Sequence, residues 1–321
     1  MLDPPYNTRS TFHHYKDSAT HDDWLDERRR DVEALLPLLS PTGSLWMHLD
    51  DSEMHYAKVM LDELMGRSNF VGTVVWQKTL SRENRTDLSA THEYLLVYAR
   101  DRGQWRGRRN LLPLGEEQLA RYANPDDDPR GRWTSGDMTA KAGPGRRAAQ
   151  FYDVVLPSGR VVRPARGMAW RYTRDRFEEL VVDRRVSFGP GGDSVPRLKR
   201  FLAETQQGLV PTTWWPGAEV GTTDTAKKHL RRLFPRLVPF ETPKPEQLAA
   251  RVIRIATDPD DVVLDCYAGS GTTPAVAQKL GRHWLACERE PRTFDEFLVP
   301  RLAAVLDGHD DSGNVRPLRR D

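Results

Sequence analysis

Cysteine is scarce in this sequence: 321 residues hold two, Cys266 and Cys287. Two thiols cannot build a disulfide framework, and neither stands at metal-ligand spacing from a histidine, which argues against oxidised secretion, a structural zinc or any other metal. No run approaches the about 18 consecutive apolar residues of a membrane span. The opening MLDPPYNTRS lacks the basic and apolar regions of a signal peptide. The expectation is a soluble, cytoplasmic protein with no membrane partner. Net charge is also small, a formal +2 from 48 Lys and Arg against 46 Asp and Glu. A mean hydropathy of -0.66 is polar, yet nine Trp, nine Tyr and ten Phe with repeated apolar runs exclude a disordered chain. The length suffices for two or three modest domains.

Near-neutrality conceals an uneven distribution. Residues 101–200 carry 21 Lys and Arg against 13 Asp and Glu, and the rest carries 27 against 33. The middle is basic, and Arg supplies most of it. The planar guanidinium fork suits phosphates and guanine edges. Solvated surface charge is the plain alternative for any single arginine.

Along the chain, a helix capped by Asp22 or Asp23 is predicted from Trp24 to about Leu39. A buried strand SLWMHL follows over Ser44 to Leu49, and then a helix opened by Ser52 and ended by Gly66. Further strands are expected over Phe70 to Gln77 and His92 to Ala99, giving a parallel α/β layer sandwich. Character changes at about Asp101, where Gly, Pro, Arg and Asp predict a loop-rich α+β insert with a hairpin around Pro157-Ser158-Gly159 and a helix over Thr173 to Asp183. Order returns after Pro239. Pro245 is placed in the first turn of a helix reaching Ala256. Asp261 to Asp265, Thr272 to Leu280 and His283 to Cys287 then make a βαβ unit, and a helix follows to Leu306.

Two constellations carry chemistry. In LDCYAGSGTT (Leu264 to Thr273), Gly269 and Gly271 permit a tight turn and close backbone approach at the carboxyl end of a strand. No Gly-Lys-Ser/Thr closes it, so it is not a P-loop. Glu288 falls at the end of the next strand, where a carboxylate can accept both hydroxyls of a ribose. The second constellation is Asp3-Pro4-Pro5-Tyr6. Two prolines fix φ and leave their carbonyls as acceptors; a carboxylate beside such a carbonyl can take both hydrogens of an exocyclic amine, and the tyrosine offers a stacking face. Read alone, the same residues fit a polyproline stub. His13, His14, His48 and His55 form no credible metal pair, Cys266 and Cys287 read as small buried side chains, and Trp214 and Trp215 fit base stacking or core packing alike.

DPPY followed much later by LDCYAGSGTT resembles the amino-group DNA methyltransferases of the β order, in which the catalytic motif precedes the S-adenosylmethionine motif. LDPPYNT with Phe12 and Tyr15, GSLWMHLDDSE, THEYLLVYA, the WW and EVGTTDTAKKHLRRLF segments and ETPKPEQLAARVI occur in the order found in modification subunits of Type III restriction systems. The resemblance runs from Leu2 to about Leu306. It implies a Rossmann-like methyltransferase sheet with circularly permuted motifs and an inserted α+β target-recognition region. By the resemblance, Asp3 and the Pro4 carbonyl bind the adenine amino group, Pro5 holds the loop, and Tyr6 stacks on a base flipped out of the duplex. Lys244, Pro245, Asp265, Tyr267, Gly269, Gly271, Thr272 and Glu288 form the cofactor site. Arg106, Arg108, Arg109, Arg146, Arg147, Arg160, Arg163 and Arg166 are candidates to contact double-stranded DNA. Asp before Pro-Pro-Tyr favours adenine N6, with cytosine N4 as the alternative. A homodimer and a restriction (helicase-nuclease) subunit are the implied protein partners.

The expected organisation is a catalytic half over 1–100, a basic target-recognition insert over 101–240, an S-adenosylmethionine-binding half over 241–307 and a flexible tail over 308–321. Only Met1 and Leu2 precede Asp3, where the family carries a strand of about four to eight residues. The sequence therefore predicts that Asp3 lacks its supporting strand, and a truncated remnant that binds DNA or cofactor without turnover stands as the alternative to an active enzyme.

Overall fold

Five of the six residues of Ser44–Leu49 are buried, which makes this run a central strand, β1, in the sheet. The computed structural model describes residues 1–321 except 11–16, 85, 143–146, 206–207, 239, 311–314 and 316–321. Phe70–Gln77 (β2) and His92–Ala99 (β3) follow one another without an intervening helix and pair antiparallel. β3 also pairs antiparallel with β1, from Ser44 opposite Ala99 to Leu49 opposite Tyr94. It therefore lies antiparallel between β1 and β2, where the sequence predicts a parallel layer; the described residues of the connection over 78–91 form no helix. Trp214–Trp215 (β4) adds a parallel strand beside β2.

On the far side of β1, Leu2 bridges Met47 in parallel. The Leu2 N–H donates to the Trp46 carbonyl and the His48 N–H to the Leu2 carbonyl, both at 2.8 Å. The Met1 amine donates to the Leu264 carbonyl at 2.5 Å. Leu264 lies on Val262–Asp265 (β5), which runs parallel to His283–Ala286 (β6). Met1 and Leu2 thus supply lateral pairing behind Asp3, where the sequence reading expects no support.

Successive β1 side chains face opposite layers. Leu45, Met47 and Leu49 pack with Trp24 and Val32 of α1 (His21–Leu35) and with Ala57, Met60 and Leu61 of α2 (Met54–Met65). Trp46 packs with Trp76, Leu95, Val97 and Trp215 against Leu248, Val252 and Ile255 of α3 (Glu246–Ala256). The result is a three-layer α/β sandwich of the Rossmann-like class. Thr20, two residues before the expected aspartates, caps α1 by accepting the Asp23 N–H. Pro245 is the N-cap of α3 and precedes its first turn.

Met1–Leu112 with Val210–Asp321 forms one compact unit and Pro113–Leu209 another. The second is narrower than the expected insert over 101–240. Residues flanking it belong to the first unit because their apolar anchors do: Trp105, Trp215 and Val220 are buried beside Trp46 and Trp76. The second unit is α+β, with Trp133–Asp137, Arg197–Phe201 and Val186–Ser187 in an antiparallel sheet. Its core is built from Met138, Leu156, Trp170, Phe177 and Leu180.

The expected tail is anchored at its start. Asp310 is buried, with one carboxylate oxygen 2.7 Å from His229 Nε2 and the other 2.9 Å from Lys279 Nζ. Val315 packs with Ala249, Val276 and Leu280. A buried ammonium needs paired carboxylates, and Asp310 supplies one; residues 311–314 and 316–321 lie outside the described residues. No described helix is long and apolar enough to cross a membrane.

Candidate active site

Chain segments that end at the carboxyl edges of Leu2, β1, β5 and β6 converge on one cleft of about 670 Å³. Asp3, Pro4, Pro5 and Tyr6 line one side of it, and Asp265, Tyr267, Gly269, Thr272 and Glu288 line another, with Lys244 between. Parallel α/β sheets bind ligands at this edge because helix starts and turns converge there. Pro245 and Gly271 stand behind the lining. A β-carbon on Gly271, whose φ is +79°, would lie 2.9 Å from Leu298 Cδ1, and one on Gly221 would lie 2.7 Å from Pro245 Cβ. Both residues therefore act through packing.

Asp3 is held at both oxygens. The Tyr6 hydroxyl donates to Oδ1 at 2.9 Å, and Lys244 Nζ lies 2.9 Å from Oδ2. The same hydroxyl reaches Glu93 Oε2 at 3.2 Å. Burial pushes the Tyr6 phenol well above its ordinary value, and the Asp3 and Glu93 carboxylates push it further, so it stays a donor. Glu93 is buried, with Lys78 Nζ at 3.1 Å, Lys244 Nζ at 3.9 Å and His48 Nε2 at 3.0 Å off the hydrogen-bond axis. Burial alone would raise the Glu93 carboxyl; the Lys244 ammonium, with His48 and Lys78, overcomes it and holds the group far below the usual carboxylate range.

The loop after Tyr6 is fixed by acceptors. Asp17 takes the backbone N–H groups of Asn7 and Thr8 at 2.7 and 3.1 Å and also the Thr8 hydroxyl. The Trp24 indole donates to the Pro5 carbonyl at 2.7 Å. The Pro4 carbonyl accepts no hydrogen bond from the described residues. Phe12, His13, His14 and Tyr15 lie outside the described residues.

The glycine turn is closed by a carboxylate. The Gly269 N–H donates to Glu288 Oε2 at 2.7 Å and the Glu290 N–H to Glu288 Oε1 at 2.9 Å. Each oxygen keeps a further lone pair. The Asp265 carboxylate is raised by burial, partly countered by the Met1 amine, and accepts the Tyr267 N–H at 3.0 Å. The Tyr267 hydroxyl donates to Asp31. The buried Arg28 guanidinium stacks 5.1 Å from the Tyr267 ring and 5.7 Å from the Trp24 ring. One wall of the cleft is therefore an aromatic and guanidinium stack.

Residues 1–298 match the DNA methylase family of N6/N4 methyltransferases. The chain belongs to this DNA methylase family. It is similar to the StyLTI Mod subunit, a Type III restriction-modification enzyme subunit of Salmonella typhimurium, at 31% identity over 345 residues, covering 96% of this chain and 50% of that protein. The EcoP15I Mod subunit of Escherichia coli, also Type III, is 26% identical over 292 residues, covering 80% of this chain and 44% of the relative. The chain thus spans about half the length of these curated relatives. Among solved structures, the cytosine-N4-specific PvuII DNA methyltransferase matches with a TM-score of 0.48 at 12% identity, covering 98% of this chain and 85% of that one.

Against this family background, the arginine candidates are dispersed. Arg106, Arg108 and Arg109 sit in or beside the Arg102–Arg108 helix of the first unit, and Arg108 pairs with Asp258 at 2.7 Å. In the second unit Arg160 pairs with Asp193 at 2.9 Å and Arg163 with Asp153. Arg147 and Arg166 are exposed, and Arg146 lies outside the described residues. Glu93, Lys78, Asp17, Trp24 and Arg28 carry no predicted role, yet all line the cleft. The available signal for Glu93 was a charge inside an apolar strand, THEYLLVYA. His229, Glu246 and Asp310 bring ligand atoms within 4.8 Å of one another. The Lys279 ammonium, 2.8 Å from Glu246 and 2.9 Å from Asp310, takes the position a cation would occupy.

Proposed function

We propose that this chain transfers a methyl group from S-adenosylmethionine to the N6 amino group of adenine in double-stranded DNA, as the modification component of a restriction system. The observation that carries it is the meeting of Asp3 and Pro4 in one cleft with the Gly269 turn and Glu288. The site fits the cofactor: a left-handed turn at Gly269 (φ +49°) brings backbone close to the cleft, and Glu288 presents two oxygens with spare lone pairs. Asp265, Tyr267 and Gly269 would hold its amino-acid side, Glu288 its ribose, and the Lys244 segment would close the pocket. The cofactor, when bound, supplies an electrophilic methyl group.

The residues of the chain prepare the amine. Asp3 accepts one amino hydrogen and the Pro4 carbonyl the other, drawing the nitrogen lone pair out of conjugation with the ring. Tyr6 and Lys244 hold the Asp3 carboxylate in place, so little reorganisation is needed as positive charge develops on nitrogen. The proton lost after transfer passes to Asp3 Oδ1 or Oδ2. Arginines of both units neutralise phosphates. Similarity to Mod subunits of Type III restriction-modification enzymes supports a restriction subunit as a partner, and a homodimer belongs to the same proposal.

The test is transfer of labelled methyl groups to duplex DNA by the purified chain, followed by digestion and identification of the base. N6-methyladenine is expected, and Asp3→Ala should reduce the rate at least ~10²-fold while the cofactor still binds. Label on cytosine shows N4 specificity instead. Cofactor binding with no transfer to any duplex shows the non-catalytic remnant.

A further inference from the structure

Beneath the glycine turn lies a buried ionic cluster with no part in the proposed chemistry. Arg301, on the Val299–Leu306 helix, is 1% exposed. Its Nη1 donates to the Ser270 carbonyl at 3.2 Å and to Thr272 Oγ1 at 2.9 Å, and its Nη2 to Glu246 Oε1 at 3.2 Å. Glu246 Oε1 also receives Lys279 Nζ, which reaches on to Asp310. Two buried cations are thus matched by two buried carboxylates. Such a cluster earns little net stability over apolar packing of similar volume, which directs attention to what it orients.

Arg301 touches both sides of the cofactor cleft through one intermediary. Thr272 accepts from Arg301 and donates its own hydroxyl hydrogen to the Lys244 carbonyl at 3.2 Å. Lys244 in turn holds Asp3. The stem of Arg301 also runs under the turn, its Cδ 3.6 Å from the β-carbon position of Gly271. The guanidinium fork is rigid and its donors diverge, so a single side chain fixes Ser270, Thr272 and Glu246 at once.

We propose that Arg301 is a positioning residue for methyl transfer: by way of Thr272 it locks the glycine turn to the Lys244 segment, and so sets the spacing between the bound cofactor and Asp3. This rests on the proposed function. The test compares Arg301→Lys, Thr272→Val and Thr272→Ser with the parent chain, by calorimetric titration with S-adenosylmethionine, by kcat and KM on duplex DNA, and by thermal unfolding. Thr272→Val keeps the volume and deletes the hydroxyl; Thr272→Ser restores it. Arg301→Lys and Thr272→Val are expected to bind the cofactor about tenfold more weakly, the effect of one lost charge-assisted hydrogen bond. At saturating cofactor kcat should fall more than the KM for DNA rises, because the spacing acts in the transition state, and Thr272→Ser should stay near the parent. Should Arg301→Lys fail to fold, the two Thr272 variants decide. A parent chain that binds cofactor while Thr272→Val binds it equally well overturns this inference alone. Affinity losses that merely track losses of thermal stability across the set overturn it too, in favour of a structural role. A parent chain that binds no cofactor overturns the proposed function and this inference with it.

Discussion

Lys244 and Asp3, far apart in the sequence, meet ammonium to carboxylate at 2.9 Å, with Glu93 3.9 Å from the same nitrogen. One cation therefore separates two carboxylates that also share the Tyr6 hydroxyl.

Replacing that cation exposes the repulsion it suppresses. Lys244→Met should lower stability by about 2–3 kcal/mol, below the full cost of breaking a buried pair because Asp3 is partly exposed. Urea unfolding of parent and variant measures the difference. An unchanged midpoint would show that the pair is dispensable to the fold.

Acid sensitivity follows from Glu93. Its folded-state carboxyl lies far below its ordinary value of 4.5, so its contribution is complete above that value and drains away as pH falls from about 4.5 toward the folded value. The stability difference between the parent and Glu93→Gln should accordingly be largest at neutral pH and shrink between about pH 5 and pH 3. Urea unfolding across that range reads it; a difference that grows on acidification contradicts the assignment.

At the cofactor end, Glu288 both closes the glycine turn and presents its oxygens to the cleft. Glu288→Gln removes the charge and replaces one acceptor by a donor facing an N–H. S-adenosylmethionine affinity should fall by about ten- to a hundredfold, the range for hydrogen bonds to a charged group. Equilibrium titration checks this, and unaltered affinity would remove Glu288 from the site.

Much of the sheet was legible. The strands Ser44–Leu49, Phe70–Gln77 and His92–Ala99 fall where apolar-rich runs place them, because apolar and β-branched side chains fit a packed sheet. The direction of β3 was not legible, since strand periodicity carries no sign. The Asp3–Tyr6 and Leu264–Thr273 motifs were visible as local patterns, and the structure brings them into one cleft. Glu93, Asp17 and Arg301 stayed hidden for a common reason: a charged residue is read as solvated unless its partner is known, and their partners lie far off in sequence. The insert boundaries were misplaced because Trp105 and Trp215 are set in Arg- and Pro-rich surroundings whose composition outweighs a single anchor.

The side-by-side seating of Met1–Leu2 between β1 and β5 has a temporal consequence. Met1 and Asp3 must wait for Lys244, Leu264 and Thr273 to be synthesised before their contacts exist. Contacts of such long sequence separation slow folding. The ion pair and backbone pairing that hold Asp3 therefore form only once residues 244–273 have been made, long after Asp3 itself.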